Sequence, residues 1–309
     1  MATLKVPHPV PSAVEDAETL RKAFQGWGTD EKTVIGVLAH RDAAQRLQIR
    51  LAYEELYQEN LIKRLESEIH GDFEKAMYRW IFDPIERQAI LANIAARDGD
   101  YRVVVELSCV NSTSELLAVK QAYHARYKHS LEEDVASQTT GDIRKLLVAL
   151  VGTYRYDGAE INPRLAESEA KILHEAIAEK AYNHEEIIRI LSTRSKAQLN
   201  ATFNRYKDDF GISITKDLTS ESSDDFVAAL RVAIRCISSP QKYFEKLLRG
   251  AIDNGNEDVI TRVLVTRAEK DLAEIKDIYE KRTNASLDEA IRKKTSGDYE
   301  KFLLALLGN

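Results

Sequence analysis

The chain has 309 residues, of which 44% are hydrophobic and 30% are charged, the composition of a folded, water-soluble protein rather than a disordered one. Its formal net charge of −6 argues against nucleic acid as a partner, and it opposes approach to an anionic membrane unless a cation bridges the two. There is no run of about eighteen apolar residues, no signal peptide and no disulfide framework, so we expect a cytoplasmic protein.

The first predicted elements are a short tail (residues 1–13), a helix, and a second helix over Thr33–Leu38. Between the two helices lies the sequence Gly-Trp-Gly-Thr-Asp-Glu, residues 26–31. Glycine lets the backbone turn so that its carbonyl oxygens point at one centre. Calcium accepts such oxygens, but it also favours a carboxylate, often a bidentate one. The candidate carboxylate is Glu68, which stands far beyond Gly28 in the chain, just before His70.

Further along the chain, one spacing of residues occurs four times. Each copy has an anchor, a Tyr in the twelfth place after it, an Asn or Ser in the nineteenth place, and an Asp in the thirty-first place. The anchors are Arg41, Asn111, Arg194 and Arg267, and the later columns are Tyr53, Tyr123, Tyr206 and Tyr279, then Asn60, Ser130, Ser213 and Ser286, then Asp72, Asp142, Asp225 and Asp298. The intervals between anchors are unequal, so the spacing shared by all four copies indicates a four-fold internal repeat.

Helix-start signals stand at fixed places in these repeats. The Asn or Ser column is predicted to supply N-caps, each worth about 1 kcal/mol, and the Asp column is predicted to cap one more helix. Ser112 with Glu115 and Ser195 with Gln198 predict full capping boxes, and Asp42 predicts a looser one. Strand alternation is scarce. We therefore predict an all-α fold with about five short helices in each repeat of about seventy residues.

The predicted boundaries follow from prolines between the repeats and from a linker that enlarges the middle interval. They are the tail (1–13), repeat 1 (14–83), repeat 2 (84–154), the linker (155–164), repeat 3 (165–238) and repeat 4 (239–309). The linker is expected to divide the chain into two halves of two repeats each.

Four repeats of this kind, with Gly-Trp-Gly-Thr-Asp in the first and an acid about forty residues later, resemble the annexin family over nearly the whole chain. The short tail, Trp27 and the degenerate middle repeats are more similar to plant annexins than to animal ones. The resemblance implies a slightly curved disc of four five-helix repeats. It also implies calcium-dependent binding to acidic phospholipids, with Ca²⁺ as the bound ion.

The resemblance places the main calcium site in repeat 1. Its implied ligands are the carbonyl oxygens of Phe24, Gly26 and Gly28 with both carboxylate oxygens of Glu68, and a secondary site would use Thr29 and Glu31. One carboxylate with several neutral carbonyls leaves a dication undercompensated, so the site alone is expected to be weak, in the range of about 10⁻⁴–10⁻³ M. Lipid phosphate can fill the remaining positions, so that calcium and membrane each raise the affinity for the other.

The other repeats depart from this pattern. The acid position holds Gln138 in repeat 2 and Lys294 in repeat 4, where the loop is also shorter by two. Repeat 3 keeps an acid, Glu221, but its loop has no glycine. We therefore expect one good site, while a weaker one in repeat 4 that uses Asp253, Glu257 or Asp298 stays open.

Trp27 stands at the tip of the predicted calcium loop. An indole there is expected to lie at the level of the lipid headgroups, where such rings are favoured. Inward packing of the same side chain is the alternative. We expect a monomer in solution, and association on the membrane stays open.

Two other classes of function compete with membrane binding. The first is an enzyme with peroxidase or nucleotide-hydrolysing activity, which rests on the family resemblance and on His40. No Gly-x-x-x-x-Gly-Lys-Ser/Thr motif is present, and an isolated histidine is more often a satisfied or solvent-facing side chain. The second is a calcium-permeable channel, although the sequence contains no pore-lining span. We therefore predict a binding protein rather than an enzyme.

Two further features resemble plant annexins. Cys109 and Cys236 match a cysteine pair proposed to be redox-active, but we favour two buried inert thiols because reactivity needs a lowered pKa. Ile188-Arg189-Ile190 resembles a short motif linked to actin binding, but it lies in an apolar-periodic helix, and core packing is the preferred interpretation.

Overall fold

The computed structural model describes residues 1–26, 28–182, 185–218 and 224–309. Over these ranges the chain forms twenty helices and no strand, with five helices in each predicted repeat. The all-α prediction is therefore confirmed. In the same ranges, no helix combines the length and the apolar character needed to cross a membrane.

The helices belong to two compact units that do not follow the linear halves of the chain. Unit 1 contains Met1–Arg87 and Phe244–Asn309, and unit 2 contains Gln88–Tyr243. The expected division at the linker is wrong because the linker is bound to both of its neighbouring repeats. Arg155 donates to the carbonyl of Leu191 at 2.6 Å in repeat 3, and its own carbonyl accepts from the Thr113 hydroxyl at 2.8 Å in repeat 2.

Unit 1 has a buried core shared by its first and last segments. Trp80 is fully buried, its indole nitrogen donates to the Leu38 carbonyl at 2.7 Å, and the Arg46 guanidinium lies 3.8 Å above its ring. Arg46 also pairs with Glu269 at 3.0 Å, which joins repeat 1 to repeat 4. The helices of these repeats are α1 Ala13–Ala23, α2 Glu31–Leu38, α3 Ala43–Tyr57, α4 Leu61–Glu68, α5 Gly71–Ile81, α16 Pro240–Asn254, α17 Glu257–Arg267, α18 Leu272–Thr283, α19 Leu287–Lys294 and α20 Gly297–Leu306.

Unit 2 is built in the same way from repeats 2 and 3. Lys196, in repeat 3, donates to the Val110 carbonyl of repeat 2 at 2.8 Å. The helices of these repeats are α6 Pro84–Asp98, α7 Tyr101–Val110, α8 Thr113–Tyr127, α9 Leu131–Gln138, α10 Gly141–Val151, α11 Pro163–Ala178, α12 Glu185–Thr193, α13 Lys196–Phe210, α14 Ile214–Asp217 and α15 Asp225–Ser238.

The anchor and tyrosine columns mark interior positions of the repeats. Each anchor contacts a residue of its own repeat's first helix, in the pairs Arg41–Asp16 at 2.7 Å, Asn111–Gln88 at 2.6 Å, Arg194–Glu169 at 2.8 Å, and Arg267 with its guanidinium 4.5 Å above the Phe244 ring. All four tyrosines are buried. The repeat in the sequence therefore reflects a repeated core contact.

The capping predictions are partly wrong. Asp42 forms a full box with Gln45, as Ser112 does with Glu115. Ser195 accepts from the Gln198 backbone, but the Gln198 side chain binds the backbone of Asn162 instead of returning to the cap. The capping box at Asp42, predicted to be loose, is therefore complete, and the one at Ser195, predicted to be full, is only half formed.

The Asp column does not cap its helices, contrary to the prediction. The N-caps of the last helix in each repeat are His70, Thr140, Asp224 and Ser296. The predicted aspartates lie inside the first turn, where a carboxylate is favoured by the helix dipole.

Candidate metal centre

The loop between α1 and α2 has a backbone that only glycine adopts readily. A hydrogen bond from the Asp30 amide to the Ala23 carbonyl, at 2.9 Å, closes the loop. Gly26 has φ +116° and Gly28 has φ +84°. An added Cβ would meet no atom within 4 Å at either position, so conformation rather than crowding requires glycine. In the part of the chain that the structure describes, neither glycine carbonyl accepts a hydrogen bond.

Glu68 lies beside this loop despite its distance along the chain. It is the last residue of α4, and its carboxylate Oε2 accepts a hydrogen bond from the Thr29 hydroxyl at 2.5 Å. The same hydroxyl lies 3.3 Å from the Glu68 backbone carbonyl. The Glu68 side chain is 19% exposed, so it is reachable from solvent but held in place.

Arg64 joins two of the predicted ligands, and sequence reasoning missed it. Its Nη2 donates to the Phe24 carbonyl at 3.1 Å and pairs with Glu68 Oε1 at 2.8 Å. The carbonyl and the carboxylate therefore converge on one positively charged nitrogen. The only sequence signal was the one-turn helical spacing between Arg64 and Glu68, which is typical of an ordinary helix ion pair.

The Arg64 guanidinium has a second acidic neighbour. Its Nη1 lies 3.6 Å from Glu59 Oε1, and Glu59 Oε2 accepts from Arg21 at 2.6 Å. The buried Nε of Arg64 has no hydrogen-bond partner among the residues that the structure describes. The guanidinium is therefore held by two acids, but one of its donors is unsatisfied, which costs free energy.

The residues around the loop suit a hard cation. Calcium takes carbonyl and carboxylate oxygens, and the Phe24 carbonyl of the loop and the Glu68 carboxylate of α4 both contact the positively charged Arg64 guanidinium. Over the described ranges, no cluster of three or more His, Cys, Asp or Glu side chains could hold a metal ion. A cation here would therefore depend on the backbone carbonyls of Phe24, Gly26 and Gly28 together with Glu68.

Repeats 2 and 4 lack this loop. Residues 24–30 separate the first two helices of repeat 1, but only residues 99–100 and 255–256 do so in repeats 2 and 4. The loop-closing amides of these two repeats belong to Asp100 and Asn256, which donate to Ala95 and Ala251 and so close a shorter stretch of chain than Asp30 closes with Ala23. The corresponding loop of repeat 3 contains residues 183–184, which lie outside the described ranges.

An acidic opening adjoins the loop within unit 1. It has a volume of about 360 Å³, and its acidic lining residues are Glu31, Glu68, Asp72, Glu257 and Asp298. A hydrogen bond between the carboxyl groups of Asp72 and Glu257 raises the pKa of Glu257 and lowers the pKa of Asp72. Of the candidate secondary ligands, Glu31 lines this opening, and the Thr29 hydroxyl donates to Glu68, which lines it as well.

Trp27 and Glu221 lie outside the described residues.

His40 follows α2 and is half-buried, and its buried Nδ1 has no hydrogen-bond partner in the described part of the chain. The ring is therefore unsatisfied at Nδ1, while half-burial leaves part of the residue exposed to solvent.

The cysteine and actin-motif positions match the structural interpretations. Cys109 and Cys236 are both buried, and burial raises the pKa of the Cys109 thiol, which opposes thiolate formation. Ile188 and Ile190 are buried in the core, and Arg189 pairs with Glu186 at 2.6 Å.

Comparisons with known proteins agree over the whole chain. A family model described as Annexin matches residues 15–80, 92–150, 168–232 and 243–306, one match in each repeat. The annexin-like protein RJ4 of Fragaria ananassa is 62% identical over 312 residues, covering 100% of this chain and 99% of the relative. Chicken annexin V in complex with Zn²⁺ has a TM-score of 0.92 at 33% identity, covering 100% and 98%. Calcium-bound annexin (Sm)1 has a TM-score of 0.85 at 29% identity, covering 100% and 93%.

Proposed function

This chain belongs to the annexin family, and from that premise we propose that it binds acidic phospholipid membranes when calcium is present. The ion would be held in repeat 1 by the carbonyl oxygens of Phe24, Gly26 and Gly28 and by the Glu68 carboxylate. The calcium-bound form of annexin (Sm)1 supports Ca²⁺ as the cation. The resemblance to a plant protein, predicted from the short tail and Trp27, is confirmed by RJ4.

One observation carries the proposal: Arg64 Nη2 contacts both the Phe24 carbonyl and the Glu68 carboxylate. Two predicted ligands from distant parts of the chain therefore surround a position suited to positive charge. Gly26 and Gly28 shape the loop between them, and Thr29 orients the Glu68 carboxylate by its 2.5 Å hydrogen bond.

The charges of the partners explain why the cation is needed. The protein has a net charge of −6, and an acidic bilayer repels it. Bound calcium supplies positive charge between them and leaves coordination positions for headgroup phosphate oxygens. The loop carbonyls carry no net charge, so they leave the ion able to attract the lipid. Binding of ion and membrane is therefore mutually reinforcing.

Sedimentation with phosphatidylserine–phosphatidylcholine vesicles over a calcium titration tests the proposal. Glu68→Gln removes the charged ligand, so the calcium concentration for half-maximal pelleting should rise by at least about tenfold. Glu66→Gln is the matched control, because Glu66 is an exposed acid on the same helix, and it should pellet like the parent. Equal pelleting of the Glu68→Gln protein and its parent would remove the basis of the assignment.

We also propose that Trp27, between the two loop glycines, enters the headgroup region. Trp27→Ala should weaken pelleting at saturating calcium while leaving calcium binding without lipid unchanged, because an indole favours the membrane interface. A loss of calcium binding without lipid would instead indicate inward packing.

The cellular setting that fits this function is a cytoplasmic protein that moves to membranes as calcium rises. It acts as a binding protein, monomeric in solution, with association on the membrane as a further step to be measured. Peroxidase or nucleotide-hydrolysing activity is the alternative, and turnover that is lost in His40→Ala would support it. Actin binding and channel conductance are two more alternatives, which co-sedimentation with filaments and planar-bilayer recording would detect.

A further inference from the structure

We infer that Arg64 is a built-in competitor for the cation site of repeat 1, so that its guanidinium must leave the loop before calcium is bound. This inference rests on the proposed function, and it adds a regulatory residue that sets how much calcium the site needs. The guanidinium contacts two of the proposed ligands, the Phe24 carbonyl and the Glu68 carboxylate, through the same nitrogen.

The two contacts place one positive charge where another would have to bind. Nη2 lies 3.1 Å from the Phe24 oxygen and 2.8 Å from Glu68 Oε1, both within hydrogen-bond distance. A dication that used the same two oxygens would lie next to the guanidinium and be repelled by it. The same pair of ligands therefore cannot serve Arg64 and calcium together.

Arg64 has an alternative position close at hand. Glu59 Oε1 is 3.6 Å from Nη1, so a small rotation toward Glu59 keeps an ion pair while it frees Phe24 and Glu68. The observed position is also imperfect, because the buried Nε donates to no described residue. Glu59 thus offers the guanidinium a partner after displacement, which lowers the free-energy cost of calcium binding.

Competition of this kind changes affinity without changing the ligands. The apparent dissociation constant is the intrinsic constant divided by the fraction of molecules in which the site is accessible. Arg64 lowers that fraction in the absence of calcium. Arg64 therefore raises the calcium concentration at which the protein binds the membrane, and it stabilises the loop when the ion is absent.

The test compares Arg64→Gln with Lys63→Gln. Both substitutions remove one positive charge from α4, but Lys63 is exposed and has no ion pair in the described ranges. Calcium chloride is titrated without lipid, and the thermal unfolding midpoint is followed, since a ligand that binds only the folded state raises it. The same titrations in a Glu68→Gln background subtract any calcium bound elsewhere.

Arg64→Gln should bind calcium about tenfold more tightly than the parent, because a charged hydrogen-bonding competitor is gone. It should also unfold at a lower temperature than the parent in EDTA, since Glu68 loses a partner, and this deficit should disappear in calcium. Lys63→Gln should change the affinity less than about twofold. Arg64→Lys, which keeps the charge but not the forked geometry, should fall between the parent and Arg64→Gln.

Equal affinity changes in Arg64→Gln and Lys63→Gln, or weaker calcium binding in Arg64→Gln, would overturn the inference. If the parent itself binds calcium in a way that Glu68→Gln does not affect, the proposed site fails instead. The two failures are therefore distinguishable. If Arg64→Gln does not fold, Arg64→Lys gives the same comparison, and an affinity equal to that of the parent would count against the inference.

Discussion

At the scale of single residues, the loop depends on two backbone conformations that the sequence already indicated. Gly26 and Gly28 both have positive φ, where an L side chain is strained even when space is free. Glu68 was also predictable, because the repeat fixed its position relative to the loop. Arg64 was not, since a Lys or Arg one helical turn from an acid looks the same whether or not a distant carbonyl joins it.

Gly28→Ala should destabilise the protein by about 1–2 kcal/mol, because alanine must adopt φ +84°. The free energy of unfolding measured in urea checks this. Gly250→Ala is the control, since Gly250 lies inside α16, without a positive φ and with open space for a Cβ. The Gly250→Ala protein should be more stable than the parent by about 0.5–1 kcal/mol. Destabilisation of both variants by the same amount would show that the loop conformation is not the cause.

At the scale of elements, helix length decides which repeats can form the loop. Helices α6 and α16 run almost to the start of the next helix, whereas α1 ends at Ala23 and leaves residues 24–30 between it and α2. Helix type and number were predictable from caps and periodicity. The caps themselves were less predictable from the sequence. A capping side chain such as that of Gln198 can hydrogen-bond to another partner instead, here the Asn162 backbone.

Lys294→Glu should therefore fail to create a calcium site in repeat 4. The substitution restores the acid, but residues 255–256 are too few to supply the carbonyls that residues 24–30 offer. Equilibrium dialysis against calcium measures the result in the Glu68→Gln background. The double variant should bind no more calcium ions per molecule than the Glu68→Gln protein. One additional bound ion in the double variant would show that loop length is not the limiting feature.

At the scale of the whole molecule, the pairing of repeats could not be predicted from chain order. Four similar repeats carry no signal in their own spacing that repeats 1 and 4 belong to one compact unit. The decisive contacts join residues far apart in sequence, such as Arg46 with Glu269 and Asp72 with Glu257. Helix content, repeat number and the candidate loop were predictable because each depends on local pattern.

The stability of the protein should depend on pH through the Asp72–Glu257 contact, because the two carboxyl groups share one proton. The pKa of Glu257 is raised, so its stabilising contribution is present at low pH and is lost as the pH rises through that raised value. The pKa of Asp72 is lowered, so its contribution is lost only as the pH falls through the lowered value. Above the raised pKa of Glu257, both carboxylates are charged and repel each other.

Glu257→Gln keeps a hydrogen-bond donor that has no proton to lose. Its thermal unfolding midpoint in EDTA should therefore rise relative to the parent as the pH increases from 4.5, the ordinary pKa of a glutamate, through the raised pKa of Glu257, by about 1–2 °C because the pair is largely solvated. Glu289→Gln, an exposed acid on α19, should show no such trend. A difference between Glu257→Gln and the parent that stays constant across this range would contradict the shared proton.

The most direct test of the account is a crystal structure of the protein grown in millimolar calcium. We predict an ion bound by the carbonyl oxygens of Phe24, Gly26 and Gly28 and by the carboxylate of Glu68, with the Arg64 guanidinium moved toward Glu59. An ordered repeat 1 loop that holds no ion, while Arg64 still bridges Phe24 and Glu68, would contradict it.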